Sequence, residues 1–306
     1  MCAPLHSFEN TIQYKKACKG SVEVKKWIFN ILLVVFILVF IGSGVVVGTY
    51  YWDSYVQKSR YDDLAQLRPT INVRPAPNQS AAPDETTPEG TPETQPAEAQ
   101  TKTVEVTDPK TGEKRQILAE FEELYNMNSD IIGWMYIPAI DVDYPVMQTP
   151  NDLEYYLRRN FDKEKNTRGC LFADTECDVF APSDNITIYG HRMKDGTMFG
   201  QLSKFKKASF RDANPYIYFD TLTELHTYEI VSVFITTASV GQGFSYHEFV
   251  NAETEEEFNA FIKQCKKLEL YDSGVEAKFG DKLITLSTCD YSRTNGRFVV
   301  VAKRIA

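Results

Sequence analysis

The sequence lacks a basic surplus. Its 306 residues carry 33 Lys and Arg against 42 Asp and Glu, a formal net charge of −9. Nucleic-acid binding wants a basic face, so this balance argues against a nucleic-acid partner. Paired cysteines are missing too. None of the six cysteines stands in the C-x-x-C spacing of a zinc site. Cys2 and Cys18 precede a long apolar run, whereas Cys170, Cys177, Cys265 and Cys289 follow it. That division does not describe the disulfide framework of a small exported domain. A Cys170–Cys177 bridge stays open beside the simpler reading of buried free thiols. There is no internal repeat, and there are only four histidines.

One long stretch has no charge at all. From Trp27 to Tyr51, "WIFNILLVVFILVFIGSGVVVGTYY", every residue is uncharged. At about 1.5 Å per residue it reaches about 37 Å, enough to cross a hydrocarbon core of ~30 Å with some tilt. No A-x-A-like cleavage site follows, so a cleaved signal peptide is the weaker reading. Lys15, Lys16, Lys19, Lys25 and Lys26 stand before the run, and Asp53, Asp62 and Asp63 after it. The lysine excess places the N-terminus in the cytoplasm and the bulk of the chain outside. Residues 1–26 are thus expected to be cytoplasmic and 27–51 a single-pass membrane anchor.

Large apolar side chains are nearly absent from Pro69 to about Gln116, a tract rich in Pro, Glu, Thr and Ala. It cannot bury enough surface to offset the entropy of ordering, so residues 52–116 are expected to be a juxtamembrane segment and a disordered tether. Nothing before residue 117 is expected to be needed for chemistry.

The globular part is 117–306. "ILAEFEELYNMN" has helical spacing at Ile117, Phe121, Leu124 and Tyr125. Eight short β-branched and aromatic segments follow: "GWMYIP", "DYPVMQ", "GCLFAD", "NITIYG", "PYIYFD", "TYEIVSVFIT", "KLITLST" and "RFVVVAKR". Polar turns separate them, so the pattern predicts a mainly β barrel or sandwich. One amphipathic helix interrupts the late strands, with Phe258, Phe261, Ile262, Cys265 and Leu268 on one face and Thr254 and Glu257 as its capping pair.

A cysteine nucleophile needs a base or a cation beside it, because a free thiol with a pKa of about 8.5 is mostly protonated at neutral pH. Cys289 ends one strand and Arg297 begins the next. Of the histidines, His6 lies before the anchor, and His226 and His247 read as surface residues in turns. His191 ends a strand beside Gly190, placed to face a cleft. As alternatives to chemistry, Cys289 is a small hydrophobe and Arg297 a solvated rim charge.

"ITLSTCDYSRTNGRFVVVAKRI" closely resembles the end of the sortase catalytic domain. "NITIYGHRMKDGTMFGQL" resembles the sortase histidine segment in the wording of class B. "IDVDYPVMQ", "YYLRRNF" and "GCLFAD" continue the match over about Met127 to Ile305. The resemblance implies a closed eight-stranded sortase-type barrel with peripheral helices, and the helix before the last two strands fits class B. It implies Cys289 as nucleophile, His191 as acid and base, and Arg297 as electrostatic partner. Asp290 would support them, and Ser287, Thr288 and Tyr189 would line the substrate groove. No metal and no cofactor are expected.

The activity implied is cleavage of a C-terminal sorting signal (an N-P-x-T-x-like pentapeptide) after its threonine in secreted proteins. The acyl group would pass to a cell-wall amine of a peptidoglycan precursor or crossbridge. Two alternatives remain open: a class B enzyme polymerising pilins through a lysine amine, and a thiol peptidase with water as acceptor.

Overall fold

The computed structural model describes residues 7–67, 102–239 and 241–306, with side chains from residue 26 onward. The chain divides into two compact units, 1–60 and 61–306. Helix α1, Ser7–Gln66, makes up the first unit and ends inside the second. From Lys26 it is long and apolar enough to cross a membrane, and its apolar side chains from Trp27 to Val47 are exposed. Such a surface is stable in lipid and costly in water.

The helix does not stop where the apolar run stops. "WDSYVQKSRYDDLAQL" holds no glycine or proline, so nothing breaks the backbone ladder before Gln66. Within the second unit, Tyr61 and Leu64 of its last turns are buried, and Tyr61 lies edge-on to Tyr144 at 5.1 Å. Residues 103–118 also depart from the expected tether. They form an antiparallel hairpin, β1 (Thr103–Thr107) and β2 (Lys114–Leu118), which buries Val106 and Ile117. Alternation in "TVEVT" and the Asp-Pro-Lys-Thr-Gly turn outweigh the composition of the neighbouring tract. Residues 68–101, the remainder of the expected tether, lie outside the described residues. Ile117 thus belongs to a strand, and helix begins only afterwards, as a 3₁₀ turn Ala119–Phe121 and α2, Glu122–Met127.

The eight segments read as strands all form strands: β3 (Ile131–Ile137), β4 (Val142–Met147), β5 (Leu171–Ala173), β6 (Asn185–Tyr189), β7 (Tyr216–Thr221), β8 (Thr227–Thr237), β9 (Leu283–Asp290) and β10 (Gly296–Arg304). They close into one barrel in the order β10-β8-β7-β3-β4-β5-β6-β9, with β4–β5 and β6–β9 parallel and the other pairs antiparallel. A short helix α3, Ala208–Ala213, precedes β7.

The apolar run of β10 is buried on both faces. Phe298, Val300 and Ala302 join the main core with Ile284 and Leu286 of β9. Val299 and Val301 turn to the outer side, beneath α4 (Glu255–Leu268), where they meet Phe258, Phe261, Cys265 and Tyr246. Helix α4 is capped as its sequence suggests. Thr254 Oγ1 accepts from the Glu257 amide at 3.3 Å, while the Glu257 carboxylate reaches back to the amide of Glu253 at 2.8 Å.

His226 departs from its expected surface position and is buried. The β7–β8 turn folds inward because the Asp220 carboxylate accepts its backbone N–H at 3.0 Å, and its ring lies edge-on to Tyr228. His247 is exposed, as expected.

Burial of Tyr61, Leu64 and Val106 predicts that a chain starting at Ile117 is much less stable than one starting at Trp52. At about 1.5–3 kcal/mol for each buried apolar side chain, the loss is on the order of 5 kcal/mol, or roughly 10–20 °C in Tm. Thermal melts of the two truncated chains check this, and equal Tm values would refute it.

Candidate active site

Strand register decides which side chains meet. On β9, Ile284 and Leu286 point into the barrel, so Thr285, Ser287 and Cys289 point outward. On β10, Arg297 shares the outer face with Val299 and Val301. Cys289 and Arg297 are direct cross-strand partners. Side chains so paired lie on one face with Cβ atoms about 5 Å apart. On β6, Ile186 and Ile188 face the core, which turns Tyr189 outward opposite Ser287.

Cys289 is the accessible thiol. Cys170, Cys177 and Cys265 are free but buried, whereas Cys289 is partly exposed. Burial pushes the Cys170 and Cys177 thiols up to about 12 and raises that of Cys265 as well. These three behave as core residues.

His191 follows the end of β6. Gly190 before it does not supply a reversed backbone; it supplies space. A Cβ there would lie 2.5 Å from Leu171 Cδ2 and 2.6 Å from Phe199 Cδ2. The Gly190 N–H donates to the Ser287 carbonyl at 3.1 Å, and Thr288 Oγ1 donates to the Gly190 carbonyl at 2.7 Å. Cys289 and His191 are each the next residue beyond that second bond, so it ties the thiol strand to the imidazole strand. Thr288 is therefore buried as a tie between strands rather than lining a groove.

The imidazole tautomer follows from its partner. His191 Nε2 is 2.8 Å from the Leu157 carbonyl oxygen. A carbonyl only accepts, so Nε2 carries the hydrogen, and Nδ1 is left to exchange a proton. Burial lowers the His191 pKa below its ordinary value, the Leu157 bond offsets this in part, and the charge of Arg158 lowers it further. These surroundings therefore favour the neutral imidazole over the imidazolium.

Asp290 points to the opposite face from Cys289. Its carboxylate accepts from Lys206 Nζ at 2.5 Å and from the Ser292 amide at 2.9 Å, with Arg192 Nη1 at 3.6 Å. Burial raises its pKa, but Lys206 and Ser292 outweigh this and hold it at about 2. The carboxylate fixes the β9–β10 turn, and the ring of His191 is held by Leu157 instead.

Ser287 and Tyr189 stay on the outer face but are committed to partners. Ser287 Oγ is 2.6 Å from the Tyr246 hydroxyl, and the Tyr189 hydroxyl donates to Asp174 Oδ2 at 2.8 Å. Tyr246 was not legible as a site residue. It lies in "FSYHEF", where His247 draws attention, but Tyr246 is the buried member. Burial raises its pKa, while Ser287 and the Arg297 charge act to lower it and Cys289 to raise it. Its hydroxyl thus lies within the electrostatic reach of both Cys289 and Arg297. Among the described residues no three His, Cys, Asp or Glu side chains converge on a metal-sized site.

An accessible thiol with a guanidinium residue as its cross-strand partner suits acyl transfer through a thioester, the chemistry of a cysteine transpeptidase. Comparison with known proteins agrees. The family model described as "Sortase domain" matches residues 135–305. Sortase B of Listeria monocytogenes is 33% identical over 192 residues, spanning 62% of this chain and 76% of that protein. Sortase B of Staphylococcus aureus is 30% identical over 194 residues, spanning 63% and 77%. A crystal structure of sortase B from B. anthracis in complex with AAEK1 superposes with a TM-score of 0.60 at 27% identity, covering 83% of this chain and 99% of that one. An S. aureus sortase B–substrate complex gives a TM-score of 0.57 at 31% identity, covering 62% and 86%. The chain belongs to the sortase family, in class B, and is a sortase-type cysteine transpeptidase.

A pH prediction follows from the surroundings of His191. The lower limb of kcat/KM against pH should lie below about 6.5, the ordinary histidine value. Arg158 disfavours a second positive charge on the ring, so Arg158→Gln should move that limb upward. A limb that stays in place or moves down would show that the Arg158 charge does not act on the ring.

Proposed function

We propose that this class B sortase acts on the outer face of a cell membrane, anchored by α1 with its N-terminus in the cytoplasm. It cleaves secreted proteins after the threonine of an N-P-x-T-x-like sorting signal and passes them to a cell-wall amine. The observation that carries the reading is the cross-strand pair of Cys289 and Arg297, with His191 tied in beside it through Thr288 and Gly190. Lysines before the apolar run support the orientation.

In this reading Cys289, as thiolate, attacks the threonine carbonyl carbon. The carbonyl electrons move to oxygen, and Arg297 faces that developing charge with its fork of donors. The tetrahedral adduct collapses to a thioester. The C–N bond breaks, and the leaving amine takes a proton from Nδ1 of the His191 imidazolium. An acceptor amine then attacks the thioester carbon and loses its proton to Nδ1, and the Cys289 thiolate departs. The Nε2–H bond to Leu157 persists through both half-reactions. Ser287, Tyr189 and Tyr246 form the floor beside the thiol against which the signal peptide lies, and Asp290 holds the turn.

The test is a pentapeptide panel with added amines. Product should form in proportion to amine, whereas hydrolysis alone would make water the acceptor. A preference for a pilin-like lysine peptide over wall-type amines would point to pilus assembly. Cys289→Ala should abolish cleavage, with Cys177→Ala and Cys265→Ala near native. Arg297→Lys keeps the charge but loses the fork, and should cost on the order of 10²-fold in kcat/KM if it resembles loss of an oxyanion donor. Arg293, exposed in the same turn, is the control. Near-native rates for both Arg297→Lys and Arg297→Ala would reduce Arg297 to a rim charge.

A further inference from the structure

The Leu157 carbonyl that orients His191 belongs to a 3₁₀ turn, Tyr155–Arg158, in the connection between β4 and β5. That turn is seated on the backbone of Gly169. Gly169 has φ +60, and a Cβ there would lie 2.4 Å from the Tyr156 oxygen and 2.6 Å from the Leu157 oxygen. Only glycine permits this approach, on both counts. The next residue, Cys170, donates its N–H to the Tyr156 carbonyl at 3.0 Å. The Tyr156 hydroxyl is held in turn by the buried Asp130, at 2.7 Å.

The far side of Gly169 is held by the end of α1. The Tyr61 hydroxyl donates to the Gly169 carbonyl at 3.0 Å and lies 3.5 Å from Cys170 Sγ. Tyr61 is 3% exposed, so this hydroxyl has no ready exchange with water. Its ring is fixed against Tyr144, and Leu64, one turn further on, is fully buried. A line of backbone and side-chain contacts therefore runs from Tyr61 through Gly169 and the Leu157 carbonyl to Nε2 of His191.

We propose that Tyr61 and Gly169 are positioning residues for His191, holding the Leu157 carbonyl where it selects the Nε2–H tautomer and aims Nδ1 at the reaction. This rests on the reading of His191 as acid and base. Neither residue touches substrate; both act through the Leu157 carbonyl. The last turns of the apolar helix are on this account part of the catalytic machinery and not spacer.

The test uses the full chain in detergent micelles, with Tyr61→Phe and Gly169→Ala. Tyr61→Phe keeps the ring and removes one hydroxyl. Loss of one neutral hydrogen bond corresponds to about fivefold in rate. Tyr61→Phe should lower kcat by about that factor with the peptide KM unchanged, and Gly169→Ala should lower it more.

Two readouts separate positioning from general destabilisation. Histidine-selective ¹⁵N spectra should show Nε2–H for His191 in the native chain and a weakened preference in both variants. The lower limb of the pH profile should move down, because the Leu157 bond supports the protonated ring. Cys265→Ala, on the buried face of α4, is the control for lost packing and should move neither.

Native ¹⁵N shifts and an unmoved limb in Tyr61→Phe would overturn the proposal, even if its Tm and rate fell together. If Gly169→Ala does not fold, Tyr61→Phe decides alone. Retained activity in His191→Ala would overturn the catalytic reading instead, and the spectra, which need no turnover, would still judge the tautomer.

Discussion

Cys289 and Arg297 face each other because β9 and β10 are joined by a short turn, residues 291–295, whose register pairs Gly296 with Asp290 and Arg297 with Cys289. Side chains alternate along a strand, so a slip of one residue would carry the thiol from the outer face to the barrel interior. Several contacts resist that slip together. Phe298, Val300 and Ala302 are matched to the core, and Val299 and Val301 to the underside of α4. Asp290 pins the turn through the Ser292 amide and reaches Lys206 across the opposite face. The pairing is thus over-determined on both faces of the hairpin, and the site inherits its precision.

The same alternation separates two kinds of charge. Asp290, a buried carboxylate, is placed with Lys206 and Arg192 on one face. Arg297 is placed with Cys289 on the other, where its guanidinium bonds the Gly296 carbonyl at 3.1 Å. One nitrogen is occupied there, and the fork retains further donors. Had the carboxylate occupied the face of the thiol, it would have paired with Arg297 and raised the cost of forming a thiolate. Adjacent residues in sequence thus face different partners: Asp290 neutralises cations to hold a turn, and Cys289 stands opposite Arg297 across the strand pair.

The strands were legible because each carries the β-branched and aromatic residues of a pleated, buried surface, and all eight close one barrel. The pairing of Cys289 with Arg297 was legible too, since a short connection makes neighbouring antiparallel strands. What escaped had weaker signals. The β1–β2 hairpin sits against a Pro- and Glu-rich tract whose composition masked the alternation in "TVEVT". Tyr61 and Leu64 lie in a polar-looking extension, "SYVQKSRYDDLAQ", with no periodic apolar stripe to announce a buried face. The burial of His226 leaves no mark in its own segment, because it depends on Asp220, six residues away, accepting its backbone N–H. The Leu157 carbonyl is a backbone group, and no pattern of side chains marks it.

The walls of the site come from the connections that the barrel topology requires. Parallel neighbours cannot be joined by a tight turn and need long crossovers. β4 and β5 are parallel, so residues 148–170 must travel along the outside of the barrel, and that path brings the Leu157 carbonyl beside the end of β6. β6 and β9 are parallel as well, so the chain reaches β9 only after β7, β8 and the stretch carrying α4, and that stretch lays Tyr246 against Ser287. The thiol and guanidinium are strand residues held by a ladder. The Leu157 carbonyl that holds the imidazole and the Tyr246 hydroxyl that meets Ser287 are supplied by crossovers, whose length leaves room to vary them without altering the register beneath. The cross-strand pair and its surroundings are in this sense carried by different parts of the fold: one by a hairpin whose register is fixed on both faces, the other by connections that the parallel pairs oblige the chain to make.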